Sequence, residues 1–178
     1  LRRNYAACCQ GIDRWIGRYL DLIEQRGELD NTVIIFASDH GEMLGDHGRF
    51  TKHVPEEPSV HVPLVIAGPG VERRGTSDAL VELIDLSATM LDLAGLQVPR
   101  HFDARSLKPL LDAQAGRQDD QQHRDVQIMG LDLNVPAAGK QDLPRWNAIT
   151  DGQFKLVDQV REDQQTIRLY DIREDWRR

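Results

Sequence analysis

The chain has 178 residues, a formal net charge of −7 and a pI near 5.3, with 40% hydrophobic and 29% charged residues. That length and balance allow one ordinary domain with a core and read as globular rather than disordered. The acidic balance excludes a general nucleic-acid binder, and no apolar run approaches the ~20 residues of a membrane-spanning helix.

In chain order, residues 5–26 read as a helix. Ile12, Ile16, Tyr19, Leu20 and Ile23 recur at three- and four-residue steps, with Arg14, Arg18, Asp21, Glu24 and Gln25 on the polar side. Gly27 is placed to cap it, and Asp30-Asn31 to turn the chain. The adjacent cysteines, Cys8 and Cys9, form neither a disulfide framework nor a zinc pattern and read as small residues on a partly buried helix. The chain opens inside this pattern without a start Met, so its natural N-terminus is expected further upstream.

Residues 32–37, Thr-Val-Ile-Ile-Phe-Ala, are β-branched and apolar, as in a strand buried on both faces of a parallel sheet. Residues 64–67 are a second short strand, closed by Gly68, Pro69 and Gly70. Between them lies a polar loop, 38–63; about 25 residues without structure of their own are unusual in a compact domain unless they have a task. Residues 79–84 read as a further strand. Residues 85–94 read as a helix with Leu86, Met90, Leu91 and Leu93 inward and Gly95 as its stop, and 106–113 as a short helix. Residues 114–124 are polar and glutamine-rich. From Val126 onward strands are expected, with an Asp151-Gly152 hairpin turn and a strand over 168–172. Three segments result: 1–113 α/β, 114–124 a polar loop, and 125–178 a small strand-rich unit.

The chemistry lies in Ser38-Asp39-His40-Gly41-Glu42-Met43-Leu44-Gly45-Asp46-His47-Gly48-Arg49-Phe50-Thr51-Lys52. Asp39 and His40 follow directly on a buried strand, where open α/β sheets bind ligands. Asp39 is a hard oxygen donor suited to a divalent cation such as calcium. His40 could be a ligand or could donate to a bound anion, and Lys52 could set a positive charge against that anion. An Asp-His-Gly triplet alone is also a common turn; the length of the loop, its glycines and its place after the strand favour a site. Glu42, Asp46 and His47 read as solvated or supporting groups rather than ligands.

This run, followed by Lys52, Glu57 and His61-Val62-Pro63-Leu64, resembles the second signature region of the sulfatase family, in the alkaline phosphatase superfamily. The flanks resemble it too: Ile12-Asp13-Arg14-Trp15-Ile16-Gly17-Arg18, residues 85–95, Asp103-Ala104-Arg105-Ser106-Leu107, Phe154-Lys155-Leu156 and Leu169-Tyr170-Asp171-Ile172. The resemblance implies an α/β fold: a partial alkaline-phosphatase-like sheet with flanking helices, plus a small C-terminal α+β segment. It implies that Asp39 and His40 are ligands of a divalent metal, usually calcium, although the second position is Asn in many members. It implies that Lys52 contacts the sulfate and its leaving oxygen. Glu57 aligns with a family glutamate to which no catalytic role is assigned. The chain departs from the pattern at Glu56-Glu57-Pro58-Ser59, where Tyr-Glu-Glu-Ser is common, at His61, where Arg is common, and at Ala88, where Pro is frequent.

The implied nucleophile is a formylglycine made from Cys or Ser in Cys/Ser-x-Pro-x-Arg. Cys9 is followed by Gln10-Gly11-Ile12-Asp13 and does not match, so the nucleophile and the paired aspartates that complete the metal site are expected upstream. The implied substrate is a small-molecule or carbohydrate sulfate ester. Two further readings compete: a phosphonate monoester hydrolase or phosphodiesterase on the same fold, and a remnant without catalysis. Fold alone does not choose between them. An apolar surface exposed where further strands would pack is expected of a truncated chain.

Overall fold

The computed structural model describes residues 1–71, 75–112, 123–132, 145–161 and 164–174. The expected polar loop at 114–124 lies outside the described residues up to 122. The first element, α1 (Arg2–Gln25), is amphipathic, but no residue on it is fully buried. Ile16, Leu20 and Ile23 are half-buried, while Ile12 and Tyr19 remain 55% and 62% exposed. Trp15 is exposed beside Tyr19 with the Arg18 guanidinium 4.8 Å from its ring centre. Cys8 and Cys9 are exposed, not partly buried. Their first turns are tied to the rest of the molecule through Arg2, whose guanidinium bonds the Leu44 carbonyl at 3.1 Å and the Asp46 carboxylate. The helix ends as expected at Gly27: its φ is +68°, and the amides of Gly27 and Glu28 return to the carbonyls of Glu24 and Ile23. This Schellman pairing needs a residue free to turn left-handed.

The strand β1 (Ile34–Ala37) and the strand β2 (Leu64–Ala67) pair with each other, Ile34 opposite Ala67 and Ala37 opposite Leu64. The pairing is antiparallel, which corrects the parallel sheet read from residues 32–37. Apolar composition reports burial, not strand direction; here the loop brings the chain back beside the strand it left, and an antiparallel return needs no crossover. Nor are both faces covered within this chain: Phe36 is 42% and Val65 58% exposed.

A second sheet is an antiparallel meander of β3 (Gln127–Asp132), β4 (Arg145–Thr150), β5 (Phe154–Arg161) and β6 (Gln164–Asp171), in that spatial order. Its alternation is clean in β4, where Trp146, Ala148 and Thr150 are buried and the residues between them exposed. Trp146, Ala148 and Val157 form its core, with Met129, Leu131, Tyr170 and, from the distant loop, Val60 packed against them. The Asp151-Gly152 turn is present. The Asp151 carboxylate accepts from the amides of Phe154 (2.7 Å) and Gln153 (2.9 Å), and these bonds lower its pKa. Among the described residues from 125 on, only strands and turns occur.

Residues 79–84 form no strand. They run beside β3, but side chains make the link: Glu82 Oε1 accepts from the Ile128 amide at 2.8 Å, and the Gln127 side chain donates to the Val81 carbonyl. The following helix α3 (Asp85–Leu93) buries Asp85, Ala88 and Thr89 most deeply; of its expected apolar face Leu86, Leu91 and Leu93 are half-buried and Met90 is 54% exposed. The reason is Asp85, which is wholly buried. Its carboxylate accepts from the amides of Arg105 (2.8 Å) and Glu82 (3.0 Å), from His123 Nε2 (3.1 Å), and from Arg124 through Nε (3.0 Å) and a second guanidinium nitrogen. Thr89 adds a bond from the Leu107 amide at 2.9 Å. The helix therefore turns toward its polar partners. The short helix expected at 106–113 is α4 at Lys108–Leu111, by which numbering the single turn Glu57–Val60 is α2.

Burial opposes the charge on Asp85, but Arg124 and the Arg105 and Glu82 amides outweigh it and hold the carboxyl at about 2, below its ordinary 3.8. A depressed folded-state pKa stabilises the fold above the ordinary value, and that contribution disappears as pH falls through about 2. Asp85→Ala strands a guanidinium that is only 11% exposed. In urea titrations it is expected to cost about 3–5 kcal/mol, with Asp85→Asn costing less and both variants losing acid sensitivity between pH 4 and 2 relative to the native chain.

Candidate active site

The loop between β1 and β2 folds back on itself in two layers. The Gly41 amide donates to the Ser59 carbonyl at 2.8 Å, the Met43 amide to Thr51 at 2.8 Å and the Gly45 amide to Arg49 at 2.8 Å. Met43 is completely buried beneath this hairpin-like crossing. Gly41 is required by space rather than by φ: a Cβ there would lie 2.0 Å from the Pro58 carbonyl oxygen. Glu42 is an organiser of the loop, its Oε1 accepting from the Thr51 amide at 2.5 Å and the Leu44 amide at 3.3 Å.

This folding brings Asp39, His40 and Lys52 together. The His40 amide donates to Asp39 Oδ1 at 3.0 Å, and His40 Nε2 stands 3.5 Å from Asp39 Oδ2. His40 Nδ1 lies 2.9 Å from the Gly41 carbonyl, which has only lone pairs to offer, so Nδ1 carries the proton and donates. That assignment leaves Nε2 with its lone pair, and the Lys52 ammonium donates to it. An unprotonated Nε2 with its other nitrogen fixed by a carbonyl suits a metal ligand, and does not suit a donor to an anion. The Asp39 side chain is 85% exposed, two residues beyond the end of β1.

Lys52 sits between two strained residues. Thr51 and His53 both have left-handed backbone, φ +67° and +80°. Outside glycine such a conformation costs about 1–2 kcal/mol per residue and persists only where neighbours impose it. The neighbours here include two that sequence reading did not single out. Trp146 Nε1 on β4 donates to the His53 carbonyl at 3.1 Å, and Lys155 Nζ on β5 donates to the Pro55 carbonyl at 2.8 Å. Lys155 is 3% exposed and also pairs with Glu57. The sequence marked Lys155 only as part of the family-like Phe154-Lys155-Leu156, and strand alternation alone predicts an apolar residue at a buried position there. Glu57, bonded by His61, partly opposed by burial and bonded again by Lys155, is held at about 2, well under its ordinary 4.5. Its charge is thus spent on Lys155 and His61, away from Asp39. His47 is exposed with φ +53°, and Asp46 is engaged by Arg2.

Asp39 offers a carboxylate, and His40 Nε2, which accepts from Lys52 here, offers an imidazole lone pair only when that ammonium is turned away; together they fit one edge of a metal site. Among the described residues no group of three or more His, Cys, Asp or Glu converges. A depression of about 400 Å³ lined by Leu29, Asp30, Thr32, Ile34 and Pro69 lies at the other end of β1, remote from these groups.

With this geometry, comparison with known proteins places the class. The Sulfatase family model matches residues 1–96, more than half of the chain, and the chain belongs to the sulfatase family. It is 42% identical over 111 residues to an N-acetylglucosamine-6-O-sulfatase of Bacteroides thetaiotaomicron, an alignment spanning 62% of this chain and 20% of that protein. In structure it is similar, at TM-score 0.82 and 33% identity over 95% of this chain and 33% of the other, to a protein solved in complex with its substrate D-glucosamine-2-N,6-O-disulfate. It is also similar to the phosphonate monoester hydrolase of Silicibacter pomeroyi, at TM-score 0.75 and 30% identity over 92% of this chain and 33% of that one. The alkaline-phosphatase-like α/β class expected from the sequence is that of these sulfatases. The chain spans about a fifth of the length of the curated relatives it matches.

The two layers of the loop touch backbone to backbone at Gly41, so a methyl group there cannot be accommodated by a side-chain rotation. Gly41→Ala is expected to lower stability by about 1–3 kcal/mol and to release the Gly41 amide from Ser59. Urea unfolding and amide exchange at residue 41 check both.

Proposed function

We propose that this chain is the part of a sulfatase that supplies one edge of a metal site and the cation facing the sulfuryl group. The net reaction is hydrolysis of a sulfate monoester: an oxygen nucleophile attacks sulfur, the sulfur–oxygen bond to the alcohol breaks, and with one water consumed an alcohol and hydrogen sulfate are released. The observation behind this reading is the convergence of Asp39, His40 and Lys52 at the end of β1. In it, Asp39 Oδ and, once Lys52 turns from it to the sulfuryl group, His40 Nε2 would hold a divalent cation, calcium in our reading. That cation would neutralise and orient the sulfuryl oxygens. Lys52 donates hydrogen bonds to the sulfuryl and leaving oxygens, where negative charge grows as the ester bond breaks. Glu42 keeps Thr51, and so Lys52, in place through its amide bond, and Glu57 and His47 act outside the contact with substrate. The nucleophile in this reading is a formylglycine supplied by protein beyond these 178 residues. The 2-N,6-O-disulfated glucosamine bound by one structural relative supports a sulfated carbohydrate as the substrate class.

Turnover of 4-nitrophenyl sulfate by the intact gene product tests the assignment. Lys52→Ala is expected to reduce kcat by about 10²–10³, as for removal of one donor to a developing oxyanion. Asp39→Ala is expected to raise the calcium concentration needed for half-maximal rate. A Lys52→Ala enzyme within threefold of the native rate would refute the role given to Lys52. The similarity to a phosphonate monoester hydrolase supports a second reading on the same residues, and the ratio of phenylphosphonate-ester to sulfate-ester turnover separates the two.

With two donors from this chain, the cation is held weakly. The isolated 178-residue chain is expected to release no sulfate from 4-nitrophenyl sulfate at millimolar calcium; metal-dependent release above the buffer rate would contradict this.

A further inference from the structure

Lys52 is the most mobile kind of side chain placed on an irregular segment, and the reaction proposed above requires it at one position. Upstream, the segment is fastened within its own loop by the Glu42–Thr51 and Met43–Thr51 bonds. Downstream, no bond within the loop takes the carbonyl of His53 or of Pro55. Both are taken by the four-stranded sheet: His53 by the indole N–H of Trp146 and Pro55 by the ammonium of Lys155. These partners lie 93 and 100 residues away in sequence and are 5% and 3% exposed; the Lys155 bond is buried, where water does not easily replace it, and the Trp146 bond is half-buried. Val60 of α2 packs on the same core as Trp146, and the adjacent Ser59 carbonyl receives the Gly41 amide. The same sheet therefore lies behind both arms of the site, the one carrying Lys52 and the one carrying His40.

We propose that Trp146 and Lys155 are positioning residues for Lys52: the sheet acts on catalysis by fixing the left-handed backbone at His53 and the carbonyl at Pro55, and neither side chain touches substrate. This rests on the sulfatase reading for its effect on rate, but not for its effect on the segment. Lys155 is a buried cation on a strand whose alternation calls for an apolar residue. Here it grips a loop carbonyl and a loop carboxylate, at Pro55 and Glu57.

Trp146→Phe keeps the ring in the core and removes only the N–H. In the intact gene product it is expected to lower kcat for 4-nitrophenyl sulfate about tenfold to a hundredfold, the scale of an ångström-sized misplacement, with KM changed less than threefold. In a Lys52→Ala background the same substitution is expected to add no further loss, because the group it positions is already gone. Lys155→Met is expected to lose rate similarly, and Lys155→Arg, which can still donate to Pro55 and pair with Glu57, to recover most of it. Amide exchange provides the second arm: Trp146→Phe should speed exchange over residues 51–57 while β4 and β5 keep their protection. Losses in rate that multiply fully with Lys52→Ala, or unchanged exchange over 51–57, overturn the proposal. If the native enzyme cleaves neither sulfate nor phosphonate esters, the sulfatase reading fails, and the exchange arm alone decides: faster exchange confined to 51–57 upholds positioning, and none overturns it.

Discussion

The grip of the four-stranded sheet on the loop between β1 and β2 is the constraint on which the rest of the site depends. A loop of this length has no hydrogen-bond ladder of its own, and its backbone groups must find partners elsewhere. Here they find them in two places. One is the loop itself, through Gly41 to Ser59 and Met43 to Thr51. The other is the sheet, through Trp146, Lys155 and the Glu57 ion pair.

That arrangement explains why charge is buried where it is. Lys155 and Asp85 are both nearly inaccessible, and each bears several hydrogen bonds. A buried ion pair adds little stability over an apolar substitute, but it permits few alternative packings. Both pairs join segments distant in sequence: Lys155 joins β5 to the loop, and Asp85 joins α3 to Arg105, His123 and Arg124. Such joints fix how segments sit relative to each other, which an apolar contact of the same area would leave freer to slide.

The outward side of the molecule follows a different logic. α1 keeps Ile12, Trp15 and Tyr19 exposed, and the β1–β2 pair exposes Phe36 and Val65. These positions carry the residues of a core without being in one within this chain, which agrees with a chain that spans about a fifth of its curated relatives. Their apolar character is therefore no guide to the stability of the 178 residues themselves.

Local order was legible in the sequence because local physics sets it. The helix α1 with its Gly27 stop, the strand at 64–67 and the Asp151-Gly152 turn follow from periodicity and from residues with restricted or unusual backbone freedom, and each stands where it was expected. Asp39, His40 and Lys52 could be singled out because they sit near one another along the chain behind a strand. What sequence could not decide was anything set by contact at a distance. The direction of β1 against β2 depends on where the loop returns. The leucines expected inward on α3 are half-buried, but its most deeply buried position belongs to Asp85 once Arg105, His123 and Arg124 arrive from elsewhere. Residues 79–84 lost their strand to side-chain bonds with β3. Trp146 and Lys155 reach the site only because the meander folds back over the loop some hundred residues later, and hydrogen bonds across that separation leave no periodic trace in the chain that makes them.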